Sequence, residues 1–146
     1  MARQRFSLFD EVQMACADMA DDLKLTGPAE DYVVAPTFTY RGVGVEYQFL
    51  VDGREGTVGC TVEVPTETAN LTVGLEALAI AAGVVEKRGG ISYSARNQNQ
   101  FRKSLQGQVD YIRRVHPFLT DPTTAEPLMR RADAREWLLP QSQSEE

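Results

Sequence analysis

The chain reads as an α+β protein: an antiparallel meander of three to four strands with helices packed on one face. Three observations predict it. Leu8, Val12, Ala15, Met19 and Leu23 recur at helical spacing. Val43, Val45, Tyr47, Phe49 and Val51 alternate with Gly44, Glu46, Gln48, Leu50 and Asp52, and Val58, Cys60, Val62 and Val64 alternate with Thr57, Gly59, Thr61 and Glu63 after an Asp-Gly turn at Asp52-Gly53. Phe101, Leu105, Val109, Ile112, Val115 and Leu119 then return to helical spacing. The expected order is helix, strand, strand, strand, helix, short strand, helix.

The first helix is expected near residues 7–24. Ser7 is its candidate N-cap, and Asp10 and Glu11 sit at the positive end of the helix dipole. Gly27-Pro28 is the stop signal. Asp10, Glu11, Asp18, Asp21 and Asp22 fall mostly off the apolar stripe, which predicts an acidic outer surface. A strand near 32–40 follows, with Tyr32, Val34, Phe38 and Tyr40 on one parity; Pro36 marks it as an edge or bulged strand. The next strands are expected near 43–51 and 57–64.

Gly42 and Gly44 open a strand rather than a helix, and a third glycine is missing, so no phosphate loop is read there. Asp52 and Glu55 read as turn residues. Pro65 ends the sheet run. TETANLTVGLEALAIAAGVVEKRGG reads as a buried second helix, apolar nearly all round, with a strand at Leu71–Val73 as the competing reading. Ile91–Ala95 reads as a short fourth strand, and a third helix is expected over 98–116, limited by Pro117. Thr123 and Glu126 suggest a capping box before a last short helix, Pro127 to Leu138, docked by Trp137. Residues 1–140 are expected to form a single domain, and 141–146 a disordered polar tail.

The chain has 146 residues, long enough to bury a core without disulfide or metal. No apolar run nears a membrane span, and Asp10 and Glu11 close behind the first arginines argue against a secretory signal. Two cysteines, Cys16 and Cys60, suit a reducing cytoplasm, though the pair leaves a disulfide open. The net charge is −6, unevenly spread. Residues 1–86 hold 5 Lys/Arg against 14 Asp/Glu, whereas residues 87–146 hold 10 against 7. An acidic whole opposes general binding to nucleic acid or anionic membranes and attracts basic partners.

Motifs for catalysis are sparse. His116 is the single histidine, which excludes multi-histidine metal sites. Cys16 and Cys60 lie on apolar faces and read as small core residues. His116 is expected at a helix C-terminus, partly charged, and replaceable with little effect on folding. The carboxylate pairs Asp21-Asp22, Glu30-Asp31 and Glu145-Glu146 read as solvated. No metal and no organic cofactor is expected. The stretch from Arg96 to His116 carries Arg96, Arg102, Lys103, Arg113 and Arg114 against Asp110, with interleaved amides of the kind that read bases. Aromatic interleaving is missing, so a solvated helix face paired with acids of helix one competes with a nucleic-acid surface.

Over residues 7–119 the layout is similar to small bacterial secretion-chaperone-like proteins. LQGQVDYIRRVHPFL also resembles the last helix of small uncharacterised bacterial α/β proteins of the toxin-immunity kind. The likeness lies in layout, so no residue role is carried over; it implies a non-enzymatic protein that binds another protein. The sequence therefore predicts an inhibitor-, immunity- or chaperone-like module. It would bind a basic protein partner through Asp18, Asp21 and Asp22 on helix one. The alternatives are a nucleic-acid-binding module using the basic helix 96–116 and a small carboxylate-dependent enzyme.

Overall fold

A computed structural model describes residues 6–32 and 34–139. The tail expected at 141–146 lies outside the described residues. Helix α1 spans Leu8–Leu23 and is capped by the Ser7 hydroxyl, which accepts from the Asp10 N–H at 3.2 Å. The helix stops at Lys24, which turns left-handed at φ 61°, before Gly27-Pro28 is reached. The strands β1 (Thr26–Tyr32), β2 (Pro36–Gly42), β3 (Val45–Asp52), β4 (Thr57–Pro65) and β5 (Ala69–Gly74) follow in a meander. Then come α2 (Leu75–Ala81), α3 (Gln98–Leu119), α4 (Pro122–Arg131) and β6 (Arg135–Leu138).

All six strands join one antiparallel sheet in the order β1-β2-β3-β4-β5-β6. The three- to four-stranded expectation is thus too small. β1 escaped notice because TGPAEDY carries no apolar alternation, being almost wholly exposed at the sheet edge. Pro36 sits at the start of β2, inside the edge, where a strand's first residue tolerates a missing N–H.

The second expected helix splits at Gly74. Its first half becomes β5, so that Leu71 lies opposite Val64 and both fill the core. Only seven residues after Gly74 are helical. Residues 82–97 form a loop. Its segment 91–95 meets β4 only at the bridge Thr57↔Ser94, so the short fourth strand is not formed there. Helix α3 runs through Pro117 to Leu119; the proline forgoes one hydrogen bond to the preceding turn, and Leu119 gains burial. The last helix begins earlier than expected, capped by Asp121 rather than by the Thr123/Glu126 box, with Pro122 at its first turn. It ends at Arg131, and Trp137 belongs to β6, 52% exposed, instead of docking a helix.

One core joins the helices to one face of the sheet. Phe38, Tyr40, Tyr47, Phe49, Val58 and Val62 meet Val12, Cys16 and Met19 of α1 and Phe101, Leu105 and Ile112 of α3. Burial alternates along β3 and β4, so every second side chain faces away from this core. Val43, counted on the buried parity of β3 by its spacing, lies in the turn before that strand and is 91% exposed. Among the described residues no helix is long and apolar enough to cross a membrane.

Candidate functional site

The acids of α1 divide into two groups. Glu11, expected on the outer surface, is buried. Its carboxylate accepts from Arg102 Nε at 2.7 Å, Arg102 Nη2 at 3.1 Å and Gln98 Nε2 at 2.8 Å, all from α3. The Arg102 hydrogen bond outweighs burial and holds this carboxyl below its ordinary range. Asp22 pairs with Arg113 of α3 at 2.9 Å. Asp18 and Asp21 remain exposed and make no salt bridge among the described residues. Asp10, Glu30 and Asp31, on α1 and the adjoining edge strand β1, are alike in this.

The same contacts account for the basic helix. Arg102 and Arg113 are turned onto α1, and Arg114 pairs with Asp110 within α3 at 2.9 Å. The charge that suggested a nucleic-acid face is largely answered inside the molecule. Lys103 and Arg96 make no salt bridge among the described residues.

The histidine and the cysteines are core groups. His116 is 7% exposed and lies in the last turn of α3, at the helix C-terminus as expected. Its Nδ1 lies 2.7 Å from the Tyr47 hydroxyl. Burial pushes its pKa below 6.5, so the ring is neutral at pH 7 and Nδ1 accepts the tyrosine O–H. The expectation of a partly charged ring is overturned by that burial. Cys16 and Cys60 are free and buried. Burial pushes the Cys16 thiol up to about 12 and Cys60 up as well, so neither is a thiolate at neutral pH. Asp52 is a turn residue, its Oδ1 accepting from the N–H groups of Arg54 and Glu55 at 3.0 Å each. Among the described residues no group of three or more His, Cys, Asp or Glu is placed to hold a metal ion.

The site that sequence reasoning missed is the sheet face turned away from the helices. Register lines up Arg41, Glu46, Glu63, Thr72 and Arg135 across five strands. Arg41 Nε binds Glu46 at 2.8 Å, and Arg135 stacks over Trp137, whose Nε1 donates to Thr72 Oγ1 at 3.0 Å. Glu63 stands directly opposite Glu46 and has no salt bridge among the described residues. Gln48 reaches both carboxylates only at 3.4 Å. Partial burial, and then the Glu46 charge, raise the Glu63 pKa.

Along the same face β5 stops at Gly74, opposite Thr61, so the first residues of β4 have no β5 partner. This leaves a notch of about 470 Å³ lined by Leu50, Gly59, Thr61, Gly74, Arg88 and Tyr93 among others. Glu76 builds its far wall: the carboxylate accepts from Tyr93 Oη and the Gly89 N–H, both at 2.8 Å, pinning the 82–97 loop. The signal available beforehand was the glycine at 59 in a strand otherwise rich in β-branched residues. No protein-family model, no curated protein and no solved structure matches this chain.

Proposed function

We propose that the chain is a non-enzymatic protein-binding module, inhibitor- or chaperone-like in kind, whose partner is a basic protein. The observation that carries this reading is that Asp10, Asp18 and Asp21 of α1 and Glu30 and Asp31 of β1 make no salt bridge among the described residues. In the same segment the acids that face α3 are answered by arginine, so these five carboxylates are what remains for an outside cation. Like charges fixed on a rigid helix and its neighbouring strand accelerate encounter with a basic surface, and salt weakens that steering. Asp22 contributes to the field, but its close contact is with Arg113.

Capture of partners from the native host at low and high salt tests the reading. A basic protein should be recovered, its affinity falling with salt and with Asp18→Lys plus Asp21→Lys. Recovery of nucleic acid, or an affinity indifferent to salt and to both substitutions, overturns it.

A further inference from the structure

The sheet ends in two edges, and they are built differently. A free edge presents unpaired N–H and C=O groups that another chain can extend, unless charge, proline or a bulge blunts it. The β1 edge carries all three: Pro28, the register shift between Thr26 and Ala29, and Glu30 with Asp31. The β6 edge, Arg135–Leu138, has neither proline nor bulge. The Leu139 N–H donates to the Thr68 carbonyl at 2.9 Å, so the hydrogen-bonded pairs with β5 fall on Leu139, Trp137 and Arg135. The backbone N–H and C=O of Glu136 and Leu138 therefore point away from β5, and no described strand pairs with them. Apolar side chains accompany these free groups: Trp137 is 52% exposed and Leu138 76%.

We infer that the β6 edge is a self-association site, where a second copy of this chain adds its own β6 antiparallel across a twofold axis and two six-stranded sheets become one. The inference is independent of the basic-partner reading. What selects a second copy is that the edge complements itself. With Trp137 of both copies at the axis, Glu136 stands opposite Leu138 of the other copy, and each outward N–H meets an outward C=O. The neighbouring registers that keep both sheet faces in place do worse. One sets Glu136 against Glu136, a like-charged pair. It also calls on Ala134, whose N–H is already bonded to the Met129 carbonyl. The other slides Glu136 past the end of β6. In the favoured register the tryptophans form a non-hydrogen-bonded pair, the closer of the two pair types and one that suits aromatic contact. The four residues of edge, with the exposed parts of Trp137, Leu138 and Leu139, cover roughly 400 Å² per copy, about half of a stable interface. Each copy also carries a net charge of −6, which opposes the encounter. The dimer is therefore weak, with a Kd of about 0.1–1 mM, and salt tightens it by screening that repulsion.

Sedimentation equilibrium and amide NMR of the full chain, from about 10 μM to about 1 mM, test this. Rising concentration should shift the Glu136 and Leu138 amides and slow their exchange, while Arg135 and Trp137, already bonded to β5, change less. Leu138→Pro removes an outward N–H that β5 does not use and should weaken the dimer at least about tenfold. Leu138→Lys keeps the N–H, blunts the edge by charge, and should weaken the dimer by about the same factor. Protection of the Arg135 amide shows that β6 is still seated on β5; if Leu138→Pro unseats it, Leu138→Lys decides. Met14→Lys, the same change of charge at a residue of α1 that is 65% exposed, should leave the dimer nearly unchanged. A chain that stays monomeric at about 1 mM overturns the inference. So does a dimer that loosens with salt or is indifferent to substitution of Leu138. Protection of the Glu136 and Leu138 amides in the dilute monomer overturns it too, since the chain would then cover its own edge. Protection that arises only with a captured host protein assigns the edge to a different chain and removes the second copy as occupant. None of these results touches the basic-partner reading, which stands or falls on the capture experiment.

Discussion

Glu11 and Glu63 are both partly withdrawn from water, and the molecule treats them in opposite ways. Glu11 lies between two helices on the covered side of the sheet and receives three hydrogen bonds from α3. Glu63 lies on the uncovered side, faces another glutamate, and has no cation of its own within salt-bridge distance among the described residues. The first carboxylate holds the fold together; the second is held by the fold in spite of its electrostatics. Glu63 keeps only the Gln48 amide at 3.4 Å, so its charge is penalised where that of Glu11 is stabilised.

Neighbouring residues of β3 give the sharpest contrast between the two faces. Phe49→Ala, on the covered side, should cost about 2–5 kcal/mol, because the ring is fully buried and leaves a cavity. Leu50→Ala, on the open side, should stay within about 0.5 kcal/mol. Urea unfolding of both variants checks this, and equal losses would mean that the open face is covered in the free protein.

His116→Ala should cost about 1–3 kcal/mol, since it leaves the buried Tyr47 hydroxyl without its acceptor. This replaces the expectation that the histidine could be removed freely. Glu11→Ala should cost about 1–2 kcal/mol, kept modest because Arg102 is half exposed and solvent screens the pair. Glu63→Gln runs the other way: thermal melts at pH 7 should show a gain of about 0.2–1 kcal/mol as the repulsion from Glu46 disappears. A loss on Glu63→Gln would place Glu63 among the stabilising carboxylates and break the comparison.

Acid titration separates the same groups by sign. The folded pKa of His116 lies below 6.5, so its contribution is present above pH 6.5 and is lost as the pH falls from there to the folded value. Glu11, lowered from 4.5, contributes above pH 4.5 and loses that contribution as the pH falls through its folded pKa. Glu63, raised from 4.5, is penalised at neutral pH; the penalty is relieved as the pH falls through the raised value towards 4.5. The advantage of Glu63→Gln should therefore shrink to nothing by about pH 4.5. An advantage that persists below that point would assign it to packing rather than charge.

The elements legible beforehand were those with a strong period. α1, β3, β4 and α3 lie within a few residues of where spacing put them, because each buries one stripe or one parity against a single core. β1 and β6 were not legible, since TGPAEDY and REWL are exposed along their length and leave no apolar alternation to read. Of the candidate site, the acidic character of α1 was readable from composition. Its division into answered and unanswered carboxylates was not, because that depends on which arginines α3 brings within 3 Å.

By itself the sequence determined an α+β chain with a central hairpin at Asp52-Gly53, an acidic first helix and two cysteines placed for the core. These follow from interactions between residues near one another along the chain. Tertiary structure alone decided that Ala69–Gly74 pairs as a strand, that Glu11 is buried, that His116 is neutral against Tyr47, and that Glu63 faces Glu46 across an open sheet. Each of these joins residues distant in sequence, and burial and pairing across such distances have no local period. A periodic pattern says which side of an element is apolar; only the packed fold says what stands opposite a charge.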